Sequence, residues 1–308
     1  MKCLICGDQN WEYLFPARDR MFGIAGKFSE YRCGNCGFVR LDPQPSRKEL
    51  PKYYPSTHYY SYSAETKRSF FGSIRSYMVT HLYQPTFFSR VLESFLLVPA
   101  MPRRIRKGKI LDIGCGSGDT LSLLQSVGWE CYGLDIDTHA IDAAHKRGLK
   151  HAALGSYEAM KKYQDNFFDV IRLYHVIEHL PDPSDCLKLA RKKLKPGGEI
   201  IIGTPNIGSI IARIARQYWY NLDCPRHLYL FTPFTLRKLL QKNNWTVFNT
   251  TFCSAGGWIG SIQYIIKDKL ADSIDLINQP ILIMLFYPLE WVLDKLNLGD
   301  VFVVRATK

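Results

Sequence analysis

Acidic residues and long apolar runs are both scarce in this sequence. Its 308 residues include 28 Asp and Glu against 40 Lys and Arg, a formal net charge of +12. Such an excess favours an anionic partner, whether a phosphate-bearing lipid, a nucleotide-sugar or a nucleic acid. The longest apolar run of the C-terminal part, residues 281–287, falls far short of the roughly twenty residues that span a bilayer. Because Met1 and Lys2 lead straight into Cys3, we expect no cleavable signal and a cytoplasmic protein.

The nine cysteines do not have the distribution of a disulfide framework. Four form two Cys-x-x-Cys pairs near the start, and five are scattered singly. In a reducing compartment this distribution predicts one metal site. Each pair is followed by a glycine, and two such pairs supply the four thiolates of a closed, structural Zn²⁺ shell. We therefore predict a zinc-ribbon module over residues 1–45, with a hairpin between the pairs and these ligands: Cys3, Cys6, Cys33 and Cys36.

A strand–turn–helix pattern follows residue 109. The apolar run 110–113 leads into glycines at alternate positions and then into a helix-like segment: Gly114, Gly116 and Gly118. Glycines in such a turn let the backbone approach a ligand closely. A dinucleotide site would need the spacing G-x-G-x-x-G, but Asp119 stands where the last glycine should be. Asp112, at the strand end, would repel phosphate and therefore favours a cationic ligand.

An acidic residue about twenty positions further on is expected to bind ribose hydroxyls. The next strand pattern, residues 131–134, ends in Asp135. With these motifs, residues 108–252 and the last strand resemble the class I S-adenosylmethionine-dependent methyltransferases. The resemblance implies an enzyme with S-adenosylmethionine as its cofactor, bound by the following residues: Asp112, Gly114, Cys115, Gly116, Gly118, Asp135, Ile136, Ser156 and Tyr174.

Strand and helix patterns alternate through the rest of the chain, as a doubly wound sheet requires. We predict an α/β fold with a Rossmann-like, seven-stranded doubly wound sheet over 108–308, preceded by a helical and aromatic connector and lid over 46–107. Lys195 to Gly198 are expected to form a turn before the fifth strand. Insertions at 206–224 and 254–299 are helical caps, either lid or dimer-interface helices or a surface that lies in lipid headgroups. The oligomeric state is not predicted.

Candidate catalytic residues follow the fourth strand. Methyl transfer from a sulfonium needs an aligned acceptor and, where necessary, a base. A helical turn would place His175, Glu178 and His179 on one face. Three interpretations remain open: His175 is a general base, since histidine accepts a proton near neutral pH; the three residues bind a divalent metal; or they only brace the loop. Metal-dependent O-methyltransferases, including those of ubiquinone synthesis, carry Glu-x-x-Glu-His here, and His175 replaces the first Glu.

A second candidate group is the step Pro225-Arg226-His227, which is similar to a large branch of these methyltransferases. His227 would face the acceptor across the cleft from His175, as a second catalytic residue. Arg226 would bind a phosphate or carboxylate of the substrate. The alternative is that His227 only hydrogen-bonds a loop backbone.

The order of zinc module, Pro-rich connector and paired tyrosines resembles bacterial sugar and cell-surface methyltransferases. This resemblance implies O- or C-methylation of a saccharide, nucleotide-sugar or lipid-linked glycan intermediate in glycan biosynthesis, with Tyr60 stacking on the sugar. The enzyme would then work in the cytoplasm, peripherally at the inner membrane surface.

Three other functions are compatible with the sequence. An RNA (rRNA or tRNA) methyltransferase is less favoured, because no Asn/Asp-Pro-Pro-Tyr/Phe motif follows the fourth strand. The others are a metal-dependent small-molecule O-methyltransferase and a non-catalytic protein that keeps the cofactor pocket.

Overall fold

A computed structural model describes residues 2–54, 100–102, 108–254, 256–270 and 275–308. Tyr60 and most of the predicted connector and lid lie outside the described residues, so those predictions are not addressed by the structure.

The described residues form strands β1 to β11, numbered in chain order. Their bounds are Trp11–Ala17, Phe28–Cys33, Val39–Asp42, Lys109–Ile113, Glu130–Asp135, His151–Leu154, Phe168–Tyr174, Leu194–Pro205, Tyr229–Leu230, Thr246–Phe252 and Val301–Thr307.

Helices α1 to α7 of the described residues span Asp119–Ser126, Thr138–Lys146, Pro183–Lys193, Ile210–Ala215, Pro233–Lys242, Gly257–Leu270 and Pro280–Lys295. Short 3₁₀ helices cover Leu50–Tyr53, Tyr157–Lys162, Ile177–His179, Arg216–Tyr218 and Tyr220–Leu222.

The central sheet confirms the predicted Rossmann-like, seven-stranded architecture. Its strand order is β10-β11-β8-β7-β4-β5-β6, with β11 antiparallel to both of its neighbours and the strands from β8 to β6 parallel. The carboxyl ends of β4, β5, β7 and β8 therefore meet at one edge, where open α/β sheets bind their ligands. One boundary was wrong: the turn expected at Lys195 to Gly198 lies inside β8, which begins at Leu194.

The core explains why the central strands are apolar without alternation. Ile200, Ile201 and Ile202 are consecutive in β8, and each is fully buried. Because helices or loops cover both faces of a central parallel strand, successive side chains on opposite faces are all buried. Each such isoleucine stabilises the fold by roughly 1.5–3 kcal/mol through burial.

The N-terminal module shares a sheet with the rest of the chain. β1 and β2 form the expected hairpin between the cysteine pairs, β3 pairs with β2, and β9 completes a four-stranded sheet by pairing with β3. Phe38 stacks on Tyr229 with ring centroids 5.4 Å apart. The predicted domain boundary at residue 45 stays a prediction, and this sheet crosses it.

Both predicted insertions contain helices: α4 and two 3₁₀ helices in the first, α6 and α7 in the second. α7 exposes an apolar row that includes Ile281, Leu285 and Leu289. Among the described residues, no helix has the length and apolar character needed to cross a bilayer. The two interpretations of the insertions, and the predicted partners, stay predictions.

Candidate functional site

The turn after β4 is fixed by backbone conformation and by Asp135. Gly114, Gly116 and Gly118 have φ values of 69°, 54° and 79°, a region that side chains disfavour. The amide of Gly116 donates to Asp135 Oδ2 at 2.8 Å, and the amide of Asp137 donates to Oδ1 at 3.0 Å. Burial raises the pKa of Asp135 above its ordinary value. Each carboxylate oxygen keeps a further lone pair for a ligand hydroxyl.

The same turn presents a surface that suits a nucleoside. Gly114 is exposed, and Cys115 and Gly116 are half-buried, so their backbone is accessible at the sheet edge. Ile136, directly after Asp135, is 64% exposed and offers an apolar face. A carboxylate for ribose hydroxyls beside an apolar side chain for a base fits the adenosyl part of the predicted cofactor.

Asp112 is paired inside the protein. The register of β4 and β7 places it opposite Arg172, whose Nη1 donates to Asp112 Oδ1 at 2.9 Å and to Oδ2 at 2.7 Å. Asp112 is 1% exposed. The expectation that the charge of Asp112 would repel phosphate and favour a cationic ligand is therefore corrected, because the Arg172 guanidinium already neutralises this charge.

The other two predicted cofactor residues have local structural contacts. Ser156 caps the 3₁₀ helix that begins at Tyr157, its Oγ accepting from the amide of Glu158 at 3.2 Å. The ring of Tyr174 lies 4.7 Å from the guanidinium carbon of Arg172. A Cβ on Gly203 would lie 2.3 Å from the Tyr174 ring, so this glycine makes room for the tyrosine. Their contact with a cofactor stays a prediction.

The segment after β7 turns sharply instead of starting a regular α-helix. His175 has φ 55°, and its amide donates to the carbonyl of Gly203 at 2.9 Å. Glu178, in the 3₁₀ helix that follows, is 1% exposed, and its Oε2 accepts from Thr204 Oγ1 at 3.0 Å. Its Oε1 has no well-formed hydrogen bond to any residue that the structure describes; the nearest imidazole nitrogens are His175 Nδ1 at 3.4 Å and His227 Nε2 at 3.9 Å.

Two further imidazoles complete this cluster. The rings of His179 and His227 have centroids 4.6 Å apart. Nδ1 of His179 lies 3.0 Å from the carbonyl of Arg226, and Nδ1 of His227 lies 2.9 Å from the carbonyl of Asn221. An imidazole that donates Nδ1–H to a carbonyl keeps its lone pair on Nε2, the form of a metal-binding histidine.

The cluster fits a divalent metal ion. One ligand atom from each of Glu178, His179 and His227 lies within 4.8 Å of the others. Burial alone would raise the pKa of Glu178, but the interactions with the His175, His227 and His179 imidazoles outweigh it and lower that pKa to about 2. Burial lowers the pKa of His179, and it lowers that of His227 to about 4. A carboxylate with two neutral imidazoles has the protonation that metal binding requires.

The composition of this cluster corrects the predicted ligand set. His227 joins Glu178 and His179, whereas His175 lies at the edge of the cluster, with its Nδ1 3.4 Å from the Glu178 carboxylate and a 29% exposed side chain. The two candidate catalytic residues, His175 and His227, thus both lie within 4 Å of the Glu178 carboxylate. Their catalytic roles stay predictions.

Arg226 is not available to a substrate, contrary to expectation. It is fully buried, and its Nη2 contacts Asp19 Oδ1 at 2.9 Å and Asp223 Oδ1 at 2.6 Å. Nη1 donates to the carbonyl of Tyr53 at 3.0 Å. The guanidinium therefore holds the loop that carries His227.

Asp300 was missed by the sequence analysis. It is 2% exposed and accepts from Trp219 Nε1 and Asn221 Nδ2, both at 2.6 Å, and from Ser209 Oγ at 3.1 Å. Because the carbonyl of Asn221 meets His227 Nδ1, Asp300 holds His227 through one intermediate residue. The only sequence signal was an acidic residue directly before an apolar strand, which is too common to single out.

The four paired cysteines converge as expected. Cys3 Sγ lies 3.5 Å from Cys36 Sγ, and Cys6 Sγ lies 3.5 Å from Cys33 Sγ. All four sulfurs are within 4.8 Å of one another. Zn–S bonds of ~2.3 Å in a tetrahedron place sulfurs about 3.8 Å apart, so the cluster is compatible with zinc.

Comparison with known proteins identifies the family of the domain that contains both the glycine turn and the histidine cluster. A family model described as a methyltransferase domain matches residues 82–250, more than half of the chain.

Among curated proteins, the chain is similar to the ubiquinone biosynthesis O-methyltransferases of Idiomarina loihiensis and Erwinia tasmaniensis. The first is 32% identical over 103 residues, which are 32% of this chain and 42% of that protein. The second is 29% identical over 118 residues, 36% of this chain and 49% of that protein. The chain thus spans less than half of the length of either relative.

Among solved structures, an S-adenosylmethionine-dependent methyltransferase from Archaeoglobus fulgidus superposes with a TM-score of 0.47 at 22% identity. The superposition covers 76% of this chain and 94% of that one.

Proposed function

This chain belongs to the methyltransferase-domain family, and we propose that it transfers the methyl group of S-adenosylmethionine to a hydroxyl oxygen of a small molecule. The prediction of a methyltransferase is confirmed by the family match over residues 82–250. The observation that carries the proposal is the cluster of Glu178, His179 and His227 beside the glycine turn. The segment that carries Glu178 and His179 packs on this turn, because a Cβ on Gly114 would lie 2.5 Å from Val176 Cγ2.

The expected saccharide, nucleotide-sugar or glycan acceptor is wrong. The curated relatives are named ubiquinone biosynthesis O-methyltransferases, which favours the alternative of a small-molecule O-methyltransferase. The metal-binding character of the cluster supports the same alternative.

Each half of the site has a separate task in this proposal. S-adenosylmethionine supplies an electrophilic methyl group, and a divalent metal supplies a Lewis acid for the acceptor oxygen. Asp135 and the backbone from Gly114 to Gly116 bind the nucleoside. Glu178, His179 and His227 hold the metal. His175, oriented by the contact of its Nδ1 with Glu178 Oε1, accepts the acceptor proton from the exposed side of the cluster.

The N-terminal cysteine cluster holds a structural Zn²⁺ in this proposal. Its four thiolates close the coordination shell and leave no open position for chemistry. The metal would stabilise a module whose sheet continues into β9, on the segment that carries His227.

Transfer of a labelled methyl group to small hydroxylated compounds tests the proposal. The full chain, loaded with Zn²⁺, is incubated with labelled S-adenosylmethionine, catechol or an aliphatic alcohol, and Mg²⁺ or Mn²⁺. We expect an O-methylated product whose formation needs the divalent metal and is lost in His227→Ala. His139→Ala, which changes an exposed histidine of α2, is the matched control and should keep full activity. Cofactor binding with transfer only into RNA would contradict the proposal.

A further inference from the structure

A cavity separate from the histidine cluster lies between the loop of residues 18–26 and α6. Its volume is about 500 Å³, and its walls include Arg18, Arg20, Phe22, Tyr264 and Lys267. We propose that this cavity binds a small organic molecule through a phosphate or carboxylate group.

The charges on the cavity wall favour an anion. Arg18 Nη2 and Arg20 Nε both contact Asp268, at 2.6 Å and 3.1 Å, so one carboxylate serves two guanidinium groups. Lys267 lines the cavity and forms no ion pair with any described residue. The remaining carboxylate of the wall, Asp19, is bound to Arg226. The wall therefore keeps an excess of positive charge.

Arg20 supplies a donor that the described residues leave unsatisfied. Its side chain is only 10% exposed, and its Nη1 is buried with no hydrogen-bond acceptor in the described part of the chain. The guanidinium also stacks over the ring of Tyr218, with its carbon 4.8 Å from the centroid, which fixes its plane. An unsatisfied buried donor destabilises the fold, and a guanidinium binds phosphate or carboxylate in a planar, charge-assisted geometry.

The uncharged residues of the cavity wall favour an organic molecule over a bare inorganic ion. Phe22, Ile24 and Tyr264 line the cavity, and Tyr264 is 7% exposed. Aromatic and aliphatic side chains around a few charged groups are typical of small-molecule sites. An anionic group carried on a ring or short chain would use both kinds of surface.

This cavity contacts the residues that hold His227. The guanidinium carbon of Arg226 lies 4.8 Å from the ring centroid of Phe22, and Asp19 binds the same guanidinium. Tyr264 packs on Tyr220 with ring centroids 5.5 Å apart, next to Asn221. The cavity is thus one layer of side chains away from the loop that positions His227, while the binding itself does not depend on methyl transfer.

Calorimetric titration with three ring compounds tests the inference on the full, Zn²⁺-loaded chain without cofactor. Phenyl phosphate and benzoate carry the two candidate anions, and benzyl alcohol is the neutral control. We expect at least one anion to bind with a dissociation constant in the ~1 mM range or tighter, and about tenfold more tightly than benzyl alcohol. Binding of phenyl phosphate alone, or of benzoate alone, supports the site and identifies its anion.

Two lysines of α6 give a matched pair of variants. Lys267 lines the cavity, and Lys269, two residues further along, does not. Lys267→Met should weaken anion binding about threefold to tenfold and Lys269→Met should leave it unchanged. Arg20→Met should weaken it by more than about tenfold, with thermal unfolding as the check on its fold. The inference would be overturned if neither anion binds, if benzyl alcohol binds as tightly as the anions, or if the two lysine variants weaken binding equally.

Discussion

The glycine turn and the histidine cluster lie at the same sheet edge, but they are assembled differently. The turn uses five consecutive positions, 114–118, and partners at the end of the next strand, Leu134 and Asp135. The cluster draws Glu178 and His179 from the segment after β7 and His227 from a loop some fifty residues later. Tyr54, from the N-terminal part, contacts His179 Nδ1 at 2.9 Å. A turn assembled from nearby residues is thus joined to a cluster that only the folding of distant segments brings together.

Removing the carboxylate of the cluster is expected to have the largest effect. Glu178→Gln takes away the one anionic ligand and should lower the rate of methyl transfer more than about 100-fold, since metal ligands act together. Affinity for S-adenosylmethionine should stay within about twofold, because the glycine turn is intact. Initial rates and calorimetry measure the two quantities. Glu12→Gln, at an exposed position of β1, should change neither. Retained activity in Glu178→Gln would show that the cluster is not the acceptor site.

A substitution in the glycine turn is expected to weaken binding of S-adenosylmethionine instead. Gly114→Ala places a Cβ 2.5 Å from Val176 Cγ2 on a backbone with φ 69°. We expect affinity for S-adenosylmethionine to fall about tenfold, in keeping with ~1–2 kcal/mol of strain at a left-handed position. Binding of Mn²⁺ to the cluster should be nearly unchanged.

A substitution at Gly148 is a control that distinguishes the effect of backbone strain from the effect of a side chain placed in the glycine turn. Gly148 has φ 83°, and an added Cβ there would meet nothing within 4 Å. Gly148→Ala therefore carries similar backbone strain away from the site and should keep cofactor affinity. Equal losses in both variants would mean that Gly114 matters for folding and not for the cofactor.

The glycine turn depends on residues close in sequence and the histidine cluster on distant ones, so the sequence predicts the turn better than the cluster. The seven-stranded sheet and the glycine turn could be predicted, because strand periodicity, glycine spacing and Asp135 are all local signals. The pairing of Asp112 with Arg172 depends on the register of two strands that are 60 residues apart. Arg226 was misassigned partly for the same reason, since one of its two carboxylate partners, Asp19, lies 207 residues away and no spacing rule connects them.

A positioning residue should have an intermediate effect. Asp300→Asn keeps the shape of the side chain but weakens its hold on Asn221, and thereby on His227. We expect kcat to fall about fivefold to tenfold with KM for S-adenosylmethionine unchanged, the pattern of a group that acts only on the acceptor side. Steady-state kinetics with the cofactor as the varied substrate measures the two parameters. A change confined to KM would contradict the connection from Asp300 to His227.

The smallest effect on activity is expected at Glu30, although its effect on stability is pH-dependent. Glu30 is fully buried in β2, and burial raises its pKa from 4.5 to about 8. Because the pKa is higher in the folded state, folding favours the protonated carboxyl of Glu30. The resulting stability is fully present below the unfolded-state pKa near 4.5 and is lost as the pH rises through 8. Glu30→Gln should therefore gain stability relative to the native chain over that interval, on the order of a few kcal/mol. Chemical denaturation at several pH values measures this, and a pH-independent difference would contradict it.

Convergence of the two halves on one reacting centre can be measured directly. With Mn²⁺ bound to the chain, the ¹³C resonance of the methyl group in labelled S-adenosylmethionine reports its proximity to the metal. We expect strong paramagnetic broadening of that resonance in the native chain and in His139→Ala, and no broadening in His227→Ala. A sharp methyl resonance in the native chain, with both Mn²⁺ and S-adenosylmethionine shown to be bound, would contradict this convergence.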